Sequence, residues 1–280
     1  MGRRFLVNLV RRARLDAELV RRGLARSREQ AAELIAAGRV TISGRLATKS
    51  ATAVDPGAPL IVRDDVTDDN WASRGAHKLI GALETFPDIE VAGRRCLDAG
   101  ASTGGFTDVL LRRGAREVVA VDVGYGQLVW RLQTDERVQL HDRTNVRTLT
   151  PDVIGGPVEL IVADLSFISL ALVLPALTSC AAPGADLLPM VKPQFEVGRE
   201  RLGAGGVVRD LGHRADAVAE VVRAAGLLGW GLTGVVASPL PGPSGNVEFF
   251  VHLRQDAPSD DAALVQGRQA IAAAVEKGGP

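Results

Sequence analysis

The feature that most constrains this chain is a regular alternation of short apolar segments and helix-like segments that begins near residue 94. The segments with strand character are Arg95–Ala99, Val118–Val123, Val138–His141, Leu160–Leu165, Leu187–Val191, Thr233–Ala237 and Val247–Leu253. The helix-like segments are Gly105–Arg113, Tyr125–Gln133, Leu170–Ala182 and Arg214–Leu228. Strands separated by helices form parallel βαβ units with right-handed crossovers. The pattern therefore predicts an α/β domain with a mostly parallel, doubly wound sheet of seven strands.

The end of this domain departs from the alternation. The last two predicted strands are joined by a loop rich in proline and glycine, Ser238–Asn246, with no helix between them. The final strand is therefore expected to run antiparallel to its neighbours. The alanine-rich segment Asp260–Gly278 predicts one C-terminal helix.

The net charge of zero conceals an uneven distribution. Residues 1–50 carry 12 Lys and Arg residues but only four acidic residues. Apolar spacing predicts two helices, over residues 15–25 and after Ser27 as N-cap, followed by short strands at 40–42 and 60–62. A polar boundary follows at 63–70. Such a basic α+β module favours a nucleic-acid partner, and a solvated helical surface is the alternative.

One segment approaches the length of a membrane span, because residues 165–185 contain no charged side chain. It also contains two prolines and follows Asp164 directly, so we interpret it as a strand end and a buried helix. Cys96 and Cys180 lie in apolar surroundings, and the four histidines are scattered without ligand spacing. We therefore expect no membrane span, no metal and no disulfide, as in a cytoplasmic protein.

A glycine-rich turn, LDAGASTGGF at residues 97–106, lies between the first strand and the first helix of the sheet. Doubly wound sheets bind ligands beyond the carboxyl ends of their strands, at the topological switch point. Ser102 replaces the second glycine of the dinucleotide fingerprint, which counts against NAD or FAD and suits a cofactor without phosphates. Asp122, after the second strand, is placed for ribose hydroxyls, and Asp142, after the third, for an adenine amino group.

These features together predict S-adenosylmethionine as the cofactor. The alternative is that the two carboxylates only cap the helices that follow them. The residues that we expect to contact the cofactor are Asp98, Gly100, Ala101, Ser102, Gly104, Phe106, Asp122, Val123 and Asp142.

Two lysines and two carboxylates are placed for methyl transfer to a hydroxyl group. Asp164 ends the fourth strand, Lys192 ends the apolar fifth strand, Lys78 precedes the sheet and Glu248 opens the last strand. A lysine that ends an apolar strand is costly to bury unless it is paired or used. Clustered ammonium groups stabilise a developing alkoxide, one of them can remove the hydroxyl proton, and carboxylates hold them in place. A set of surface salt bridges is the alternative.

Other methyl transfers fit these sites less well. Methylation of an exocyclic adenine amine typically uses an Asn/Asp-Pro-Pro-aromatic turn after the fourth strand, where this chain has Asp164-Leu-Ser-Phe167. Cytosine carbon methylation needs a thiolate near that strand, whereas Cys180 falls inside a predicted helix and Cys96 at the start of the first strand.

At these residues the sequence resembles the TlyA family of ribosomal RNA 2′-O-methyltransferases, which is often labelled hemolysin A. The matching stretches are Arg14–Leu19 with Ser27-Arg28, Ser73–Lys78, Leu97–Phe106, Asp122–Gly126, Ala163–Ser169, Val191–Glu196 and Pro241–Glu248. The resemblance implies an S-four-type RNA-binding domain at 12–68, a linker at 69–75, an FtsJ-like (class I, Rossmann-like) methyltransferase domain at 76–256 and a C-terminal helix or tail at 257–280. It also implies a catalytic Lys-Asp-Lys-Glu tetrad, which falls on Lys78, Asp164, Lys192 and Glu248.

The resemblance further implies a target, cytidine ribose in large-subunit and also small-subunit ribosomal RNA. We expect the basic module to bind RNA phosphates through Arg14, Arg21, Arg22, Arg28 and Arg45. The glycine-rich stretch Gly198–Val207 is interpreted either as a loop that closes on RNA or as an ordinary linker. A membrane-active cytolysin and an RNA-binding assembly factor are the competing functions.

Overall fold

The structure is a computed structural model, and it describes residues 13–25, 27–36, 38–55, 57–62, 71–242, 245–258 and 261–279. The chain divides into two compact units, with the division between residues 70 and 71. The polar boundary expected at 63–70, the end of the first domain at 68 and its start at 12 lie outside the described residues.

The first unit is a small α+β module. Its helices are α1 (Leu15–Arg21) and α2 (Arg28–Ala36). Its strands, all paired antiparallel, are β1 (Ala13–Arg14), β2 (Val40–Ile42), β3 (Arg45–Leu46), β4 (Ala53–Val54) and β5 (Leu60–Val62). The first helix ends earlier than predicted, two residues before Gly23, whose φ of 70° lies in the left-handed region. Ser27 begins the second helix as predicted, since its Oγ accepts a hydrogen bond from Gln30 N at 3.1 Å.

Burial in this module follows the helical spacing of its apolar residues. Leu15 and Leu19 of α1 are fully buried, and they pack with Ala31 and Ile35 of α2 and with Val40 of β2. The two helices therefore share one core with the short strands.

The second unit is built on a seven-stranded sheet with the strand order β11-β12-β10-β9-β6-β7-β8. The strands are β6 (Arg95–Ala99), β7 (Glu117–Val121), β8 (Val138–His141), β9 (Val158–Ala163), β10 (Ala181–Val191), β11 (Gly231–Ala237) and β12 (Phe249–Arg254). Strands β6 to β10 pair in parallel, and β12 runs antiparallel to both of its neighbours. The predicted fold class is confirmed, including the direction of the last strand.

Helices cover both faces of this sheet, as a doubly wound fold requires. They are α3 (Gly75–Thr85), α4 (Gly105–Arg112), α5 (Trp130–Gln133), α6 (Leu174–Ser179), α7 (Pro193–Glu196), α8 (Leu211–Gly226) and α9 (Asp261–Lys277). One core contains Leu79 and Leu110, from α3 and α4. The other contains Leu177, Val221 and Ile271, from α6, α8 and α9. Strand β9 follows β8 in the chain but returns to the opposite side of β6, so the switch point lies between β6 and β9.

Several predicted boundaries were wrong. The helix predicted for Tyr125–Gln133 covers only Trp130–Gln133, because the preceding residues form a loop in which Gly126 has a φ of 64°. The helix predicted for Leu170–Ala182 is a 3-10 turn and the short helix α6, after which β10 begins at Ala181. Pro175 lies in the first turn of α6, where its missing N–H costs nothing.

The segment interpreted as a buried strand end and helix begins after β9 and is divided between a 3-10 turn, α6 and the start of β10. Its helix α6 covers only Leu174–Ser179. No helix within the described ranges is long and apolar enough to cross a membrane.

Candidate active site

The glycine-rich turn follows β6 and packs directly against the residue after β9. Gly100 has a φ of 90°, and a Cβ atom at this position would lie 2.4 Å from the main-chain oxygen of Asp164. Ser102 also adopts a positive φ, 47°, and Gly104, with a φ of 99°, is the N-cap of α4. Only glycine tolerates the Gly100 position, so the turn and Asp164 meet at the switch point of the sheet.

Two of the predicted cofactor carboxylates hold this edge of the sheet through main-chain N–H groups. Asp122 accepts hydrogen bonds from Ser102 N at 2.8 Å and from Gly124 N at 2.7 Å, and Asp142 accepts one from Gly126 N at 2.8 Å. All three donors lie in turns or loops, so neither carboxylate acts as a helix cap. An ionised carboxylate has about four acceptor sites, so both retain free lone pairs.

Val123 is the cofactor residue predicted next to Asp122. It is 69% exposed, as is Tyr125 in the same loop. The ring of Tyr125 lies 4.2 Å from the Arg143 guanidinium carbon. This loop therefore presents apolar surface to solvent beside the two carboxylates.

Asp98 lies inside β6 and is fully buried. Its Oδ2 accepts a hydrogen bond from the Thr107 hydroxyl at 2.6 Å, and its Oδ1 has no hydrogen-bond partner among the described residues. Burial raises the pKa of Asp98 to about 7, although the Thr107 hydrogen bond acts in the opposite direction. A buried acceptor left without a partner is expensive, and it marks a position where a ligand donor fits.

Two other predicted cofactor residues are buried as well. Ala101 is 5% exposed, and the Phe106 ring lies in the core, 5.9 Å from the ring of Phe250. The ring therefore anchors α4 to the sheet, and the contact of Phe106 with the cofactor stays a prediction. Any contact of Phe106 with a cofactor must come from its main chain.

The four predicted catalytic residues form two ion pairs. Lys192 Nζ lies 2.5 Å from Asp164 Oδ1, and Lys78 Nζ donates a hydrogen bond to Glu248 Oε2 at 2.6 Å. The Lys192 and Lys78 side chains are 9% and 10% exposed, and the Glu248 side chain is fully buried. The pairs are therefore not surface salt bridges. Burying them is costly, which is consistent with a functional role.

The sheet brings the two pairs to one edge. Asp164 and Lys192 follow the parallel strands β9 and β10, and Val191 lies opposite Phe249 in the antiparallel pairing of β10 with β12. Continuing this register by one residue sets Lys192 beside Glu248. Three members of the tetrad thus come from three adjacent strand ends, and Lys78 reaches Glu248 from α3.

Helix α3 approaches the cofactor turn closely through Gly105. A Cβ atom at Gly105 would lie 2.3 Å from Ser73 Oγ and 3.0 Å from Ala76 N. The second glycine of the Gly104-Gly105 pair therefore lets the helix that carries Lys78 lie against the start of α4. The sequence analysis did not predict α3. Its start packs against Gly105, a contact that only a residue without a side chain allows.

Sequence reasoning missed Phe167, which follows the β9 edge. Its side chain is 91% exposed, and its φ of 65° is rare for an aromatic residue. Its ring lies 5.2 Å from that of Phe195, three residues after Lys192. An exposed aromatic ring in a strained backbone conformation, beside the ion pairs, is a platform for a planar ligand. The sequence offered one signal, an aromatic residue three positions after Asp164.

Glu196 was also missed, and it shapes the same edge. It accepts hydrogen bonds from Ser169 Oγ at 2.6 Å and from Leu170 N at 2.8 Å, and burial raises its pKa. These bonds tie α7 to the segment after β9. Ser166, in that segment, accepts a hydrogen bond from Lys192 Nζ at 2.9 Å.

The predicted RNA-binding arginines all lie in the first unit, and most of them pair with two buried carboxylates. Asp16 accepts hydrogen bonds from Arg14 and Arg28, and Glu18 accepts them from Arg21 and Arg22. These arginines hold the pKa of both carboxyl groups well below the usual range. The side chains of Arg14, Arg21 and Arg28 are 53%, 61% and 59% exposed, so one side of each guanidinium faces solvent.

The remaining two arginines differ. The Arg22 side chain is only 20% exposed and donates a hydrogen bond to Ala58 O at 2.7 Å, so it braces α1 against the segment before β5. Arg22 thus has a structural role in this module, and its contact with RNA stays a prediction. Arg45 is exposed at the start of β3.

The doubly wound sheet, with its glycine turn at the switch point and acidic residues after the next two strands, defines a Rossmann-like methyltransferase domain. An FtsJ-like methyltransferase family model matches residues 71–255, and an S4 domain model matches residues 13–60. The chain belongs to the TlyA family of methyltransferases.

Three relatives illustrate this membership. The chain is 62% identical to the 16S/23S rRNA (cytidine-2′-O)-methyltransferase TlyA of Mycobacterium tuberculosis, over 96% of this chain and 100% of that protein. It is 33% identical to Hemolysin A of Brachyspira hyodysenteriae, over 85% of this chain and 98% of that protein. The solved structure of a protein named as a hemolysin from Streptococcus thermophilus is 37% identical, covers 96% of each chain and has a TM-score of 0.74.

Proposed function

We propose that this protein transfers a methyl group from S-adenosylmethionine to the ribose 2′-hydroxyl of cytidine in large-subunit ribosomal RNA, and also in small-subunit ribosomal RNA. The observation that carries the proposal is that two lysine–carboxylate pairs, with both lysines largely buried, lie at neighbouring strand ends on one edge of the sheet. The relative from M. tuberculosis, named for 16S and 23S rRNA, supports the choice of substrate.

The residues around the glycine turn fit this cofactor. The positive φ at Gly100 and the free acceptor sites of both carboxylates support binding of an adenosine, whose ribose hydroxyls we assign to Asp122 and whose adenine amino group we assign to Asp142. The unpartnered Oδ1 of Asp98 is a suitable acceptor for the ammonium of an amino-acid moiety. When bound, the cofactor supplies an electrophilic methyl group on a sulfonium.

The tetrad acts on the attacking hydroxyl group. We assign removal of the ribose hydroxyl proton to Lys192 Nζ acting as a neutral amine, which takes up the proton and becomes the ammonium group that pairs with Asp164 and donates to Ser166. The ammonium group of Lys78, fixed by Glu248, stabilises the negative charge that develops on the ribose oxygen. The exposed Phe167 ring gives the cytosine base a surface on which to stack once it has left its helix.

The basic module supplies affinity for the RNA. We propose that Arg14, Arg21, Arg28 and Arg45 contact phosphates and so place the second unit on folded RNA without reading its bases. Ribosomal subunits are the partner, so the protein is expected to act in the cytoplasm.

The direct test is to incubate the purified protein with S-adenosylmethionine and unmodified ribosomal subunits, and to map ribose methylation across both RNAs. New 2′-O-methylcytidine in the large-subunit RNA is the expected result. Methylation on a base, or no methylation of either RNA, would rule the proposal out.

The hemolysin names carried by some relatives call for a parallel experiment on membranes. Vesicles loaded with a fluorescent dye are mixed with the same protein preparation, and no leakage is expected. Leakage by a preparation that methylates no RNA would favour a cytolysin.

A further inference from the structure

Asn246 is a buried residue at the entrance to β12, two positions before Glu248, and it is 2% exposed. Its side-chain amide makes two hydrogen bonds to one distant segment of main chain. Asn246 Oδ1 accepts from Val208 N at 2.9 Å, and Asn246 Nδ2 donates to Gly206 O at 3.1 Å. Both halves of the amide are therefore used, and a substitution at this position leaves at least one buried polar group unsatisfied.

The segment that Asn246 binds is itself fixed to a helix of the core. Val208 is 1% exposed, and its main-chain oxygen accepts a hydrogen bond from Arg214 Nε at 2.9 Å. Arg214, in the first turn of α8, is also 1% exposed and donates a hydrogen bond to Gly279 O at 2.6 Å. The peptide groups at Val208 thus connect Asn246 to α8, which packs on the sheet.

On its other side, the main chain of Asn246 binds Gly242, which touches the Glu248 carboxyl group. Asn246 O accepts a hydrogen bond from Gly242 N at 2.8 Å. A Cβ atom at Gly242 would lie 2.5 Å from Glu248 Oε1, so the α-carbon of Gly242 packs directly on this carboxyl group. Lys78 holds the other carboxyl oxygen at 2.6 Å. The carboxyl group is therefore confined between Lys78 and Gly242, which is hydrogen-bonded to Asn246.

We infer that Asn246 is a positioning residue for methyl transfer, which fixes the Glu248 carboxyl group, and through it Lys78, because it anchors Gly242 and the entrance to β12 to Val208. This inference rests on the proposed role of the tetrad. Catalytic groups must be held within about 0.5 Å of their productive geometry, so a small displacement of Gly242 or of Glu248 lowers the rate of transfer. Asn246 touches neither cofactor nor RNA in this scheme.

The test uses the full-length protein and a double-mutant cycle between Asn246 and Glu248. Asn246→Asp keeps the acceptor for Val208 N but loses the donor to Gly206 O, and Asn246→Ala removes both. Asp210→Ala is the matched control, because it removes the cap of α8 in the same segment without touching Asn246 or Glu248. Single-turnover methyl transfer, affinity for cofactor and for RNA, and melting temperature are measured for each variant.

Asn246→Asp is expected to lower the transfer rate roughly 10- to 100-fold with little change in either affinity. Added to Glu248→Gln, it should cause no further loss, because its effect passes through the carboxyl group that Gln lacks. Asp210→Ala should lower the melting temperature but keep the rate. If methyl transfer by Glu248→Gln is too slow to measure, the inference is judged from Asn246→Asp alone. This variant should lose transfer rate while its affinities for cofactor and RNA change little.

Four results would overturn the inference. The first is a wild-type transfer rate in both Asn246→Asp and Asn246→Ala, and the second is a rate in the double variant that falls by the product of the two single losses. The third is an Asn246 variant that loses RNA affinity but no rate, and the fourth is a wild-type rate in Glu248→Gln. Absence of RNA methylation by the unaltered protein is a separate outcome, and it contradicts the proposed function itself.

Discussion

Lys192 Nζ forms an ion pair with Asp164 Oδ1 at 2.5 Å and donates a hydrogen bond to Ser166 Oγ at 2.9 Å. Both partners come from the end of β9, the strand beside its own, so the lysine is fixed across the edge of the sheet. Asp164 N in turn donates a hydrogen bond to Ala99 O at 3.0 Å, directly before the glycine turn. The geometry of Lys192 is thereby coupled to the backbone of the predicted cofactor site.

This coupling leads to the first prediction. Lys192→Ala should reduce single-turnover methyl transfer at least about 100-fold, because it removes the group assigned to the hydroxyl proton. Binding of S-adenosylmethionine should change little, since the predicted cofactor contacts remain. Lys277→Ala, at an exposed position in α9, is the matched control and should keep the wild-type rate. Wild-type transfer by the Lys192 variant would exclude this residue as the base.

The second prediction concerns the stability of the protein against pH. Burial raises the folded-state pKa of Asp98 from 3.8 to about 7, so between these values the folded state binds more protons than the unfolded state. Stability is then lost as the pH rises through this window. Asp98→Asn keeps an acceptor for Thr107. Its free energy of unfolding should equal that of the wild type near pH 4 and exceed it by about 4 kcal/mol near pH 8.

The measurement is urea unfolding of both proteins across this pH range, without cofactor. A gap in the free energy of unfolding that stays constant with pH would contradict the raised pKa. S-adenosylmethionine adds a second check, because an ammonium group near Asp98 Oδ1 favours the ionised carboxylate. Binding near pH 6 should release protons from the wild type and fewer from Asp98→Asn.

The third prediction concerns the exposed ring of Phe167. Phe167→Ala should lower kcat/KM for RNA about 10-fold, because stacking of a base on an aromatic side chain is lost. The melting temperature should not fall, since the ring is 91% exposed. Leu172→Ala, another exposed apolar position in the same segment, is the control and should keep both values. Unchanged kinetics with RNA in the Phe167 variant would remove the stacking role.

The fourth prediction separates two kinds of arginine in the basic module. Replacing Arg21 and Arg45 by Gln should weaken RNA binding. The slope of log K for binding against log salt concentration should become shallower by roughly 1.5, because two phosphate contacts are lost. Arg22→Gln should instead lower the stability of the module, because Arg22 connects Glu18 to Ala58 O. An unchanged salt slope in the double variant would exclude these arginines from phosphate binding.

The sheet and the positions of Asp164, Lys192 and Glu248 at strand ends could be predicted from the sequence, because both depend on where apolar strands end. Asp164 and Lys192 stand out as charged residues that follow buried strands, and the long loop before Glu248 indicates the antiparallel β12. The contact between Lys78 and Glu248 joins residues 170 positions apart, so no local pattern reveals it. The family resemblance places both residues in one tetrad but does not say which lysine pairs with which carboxylate.

What the sequence could not predict is set by hydrogen bonds between loops. The segment around Tyr125 has helical spacing, but Asp122 and Asp142 bind the N–H groups of Gly124 and Gly126 and stabilise an open loop instead. Phe106 belongs to the core although it follows the cofactor turn, because the first turn of α4 directs its ring toward Phe250. The role of Arg22 likewise depends on a main-chain oxygen 36 residues away.

The burial of Lys78 and Lys192 also determines how the protein can be labelled. The chain contains only four lysines, and the other two, Lys49 and Lys277, are exposed, one in the basic module and one in α9. Amine-directed dyes should therefore attach at these two lysines and at the chain's α-amino group, and they should spare the buried ammonium groups, whose access is blocked and whose charge is paired. A protein labelled in this way should still transfer methyl groups.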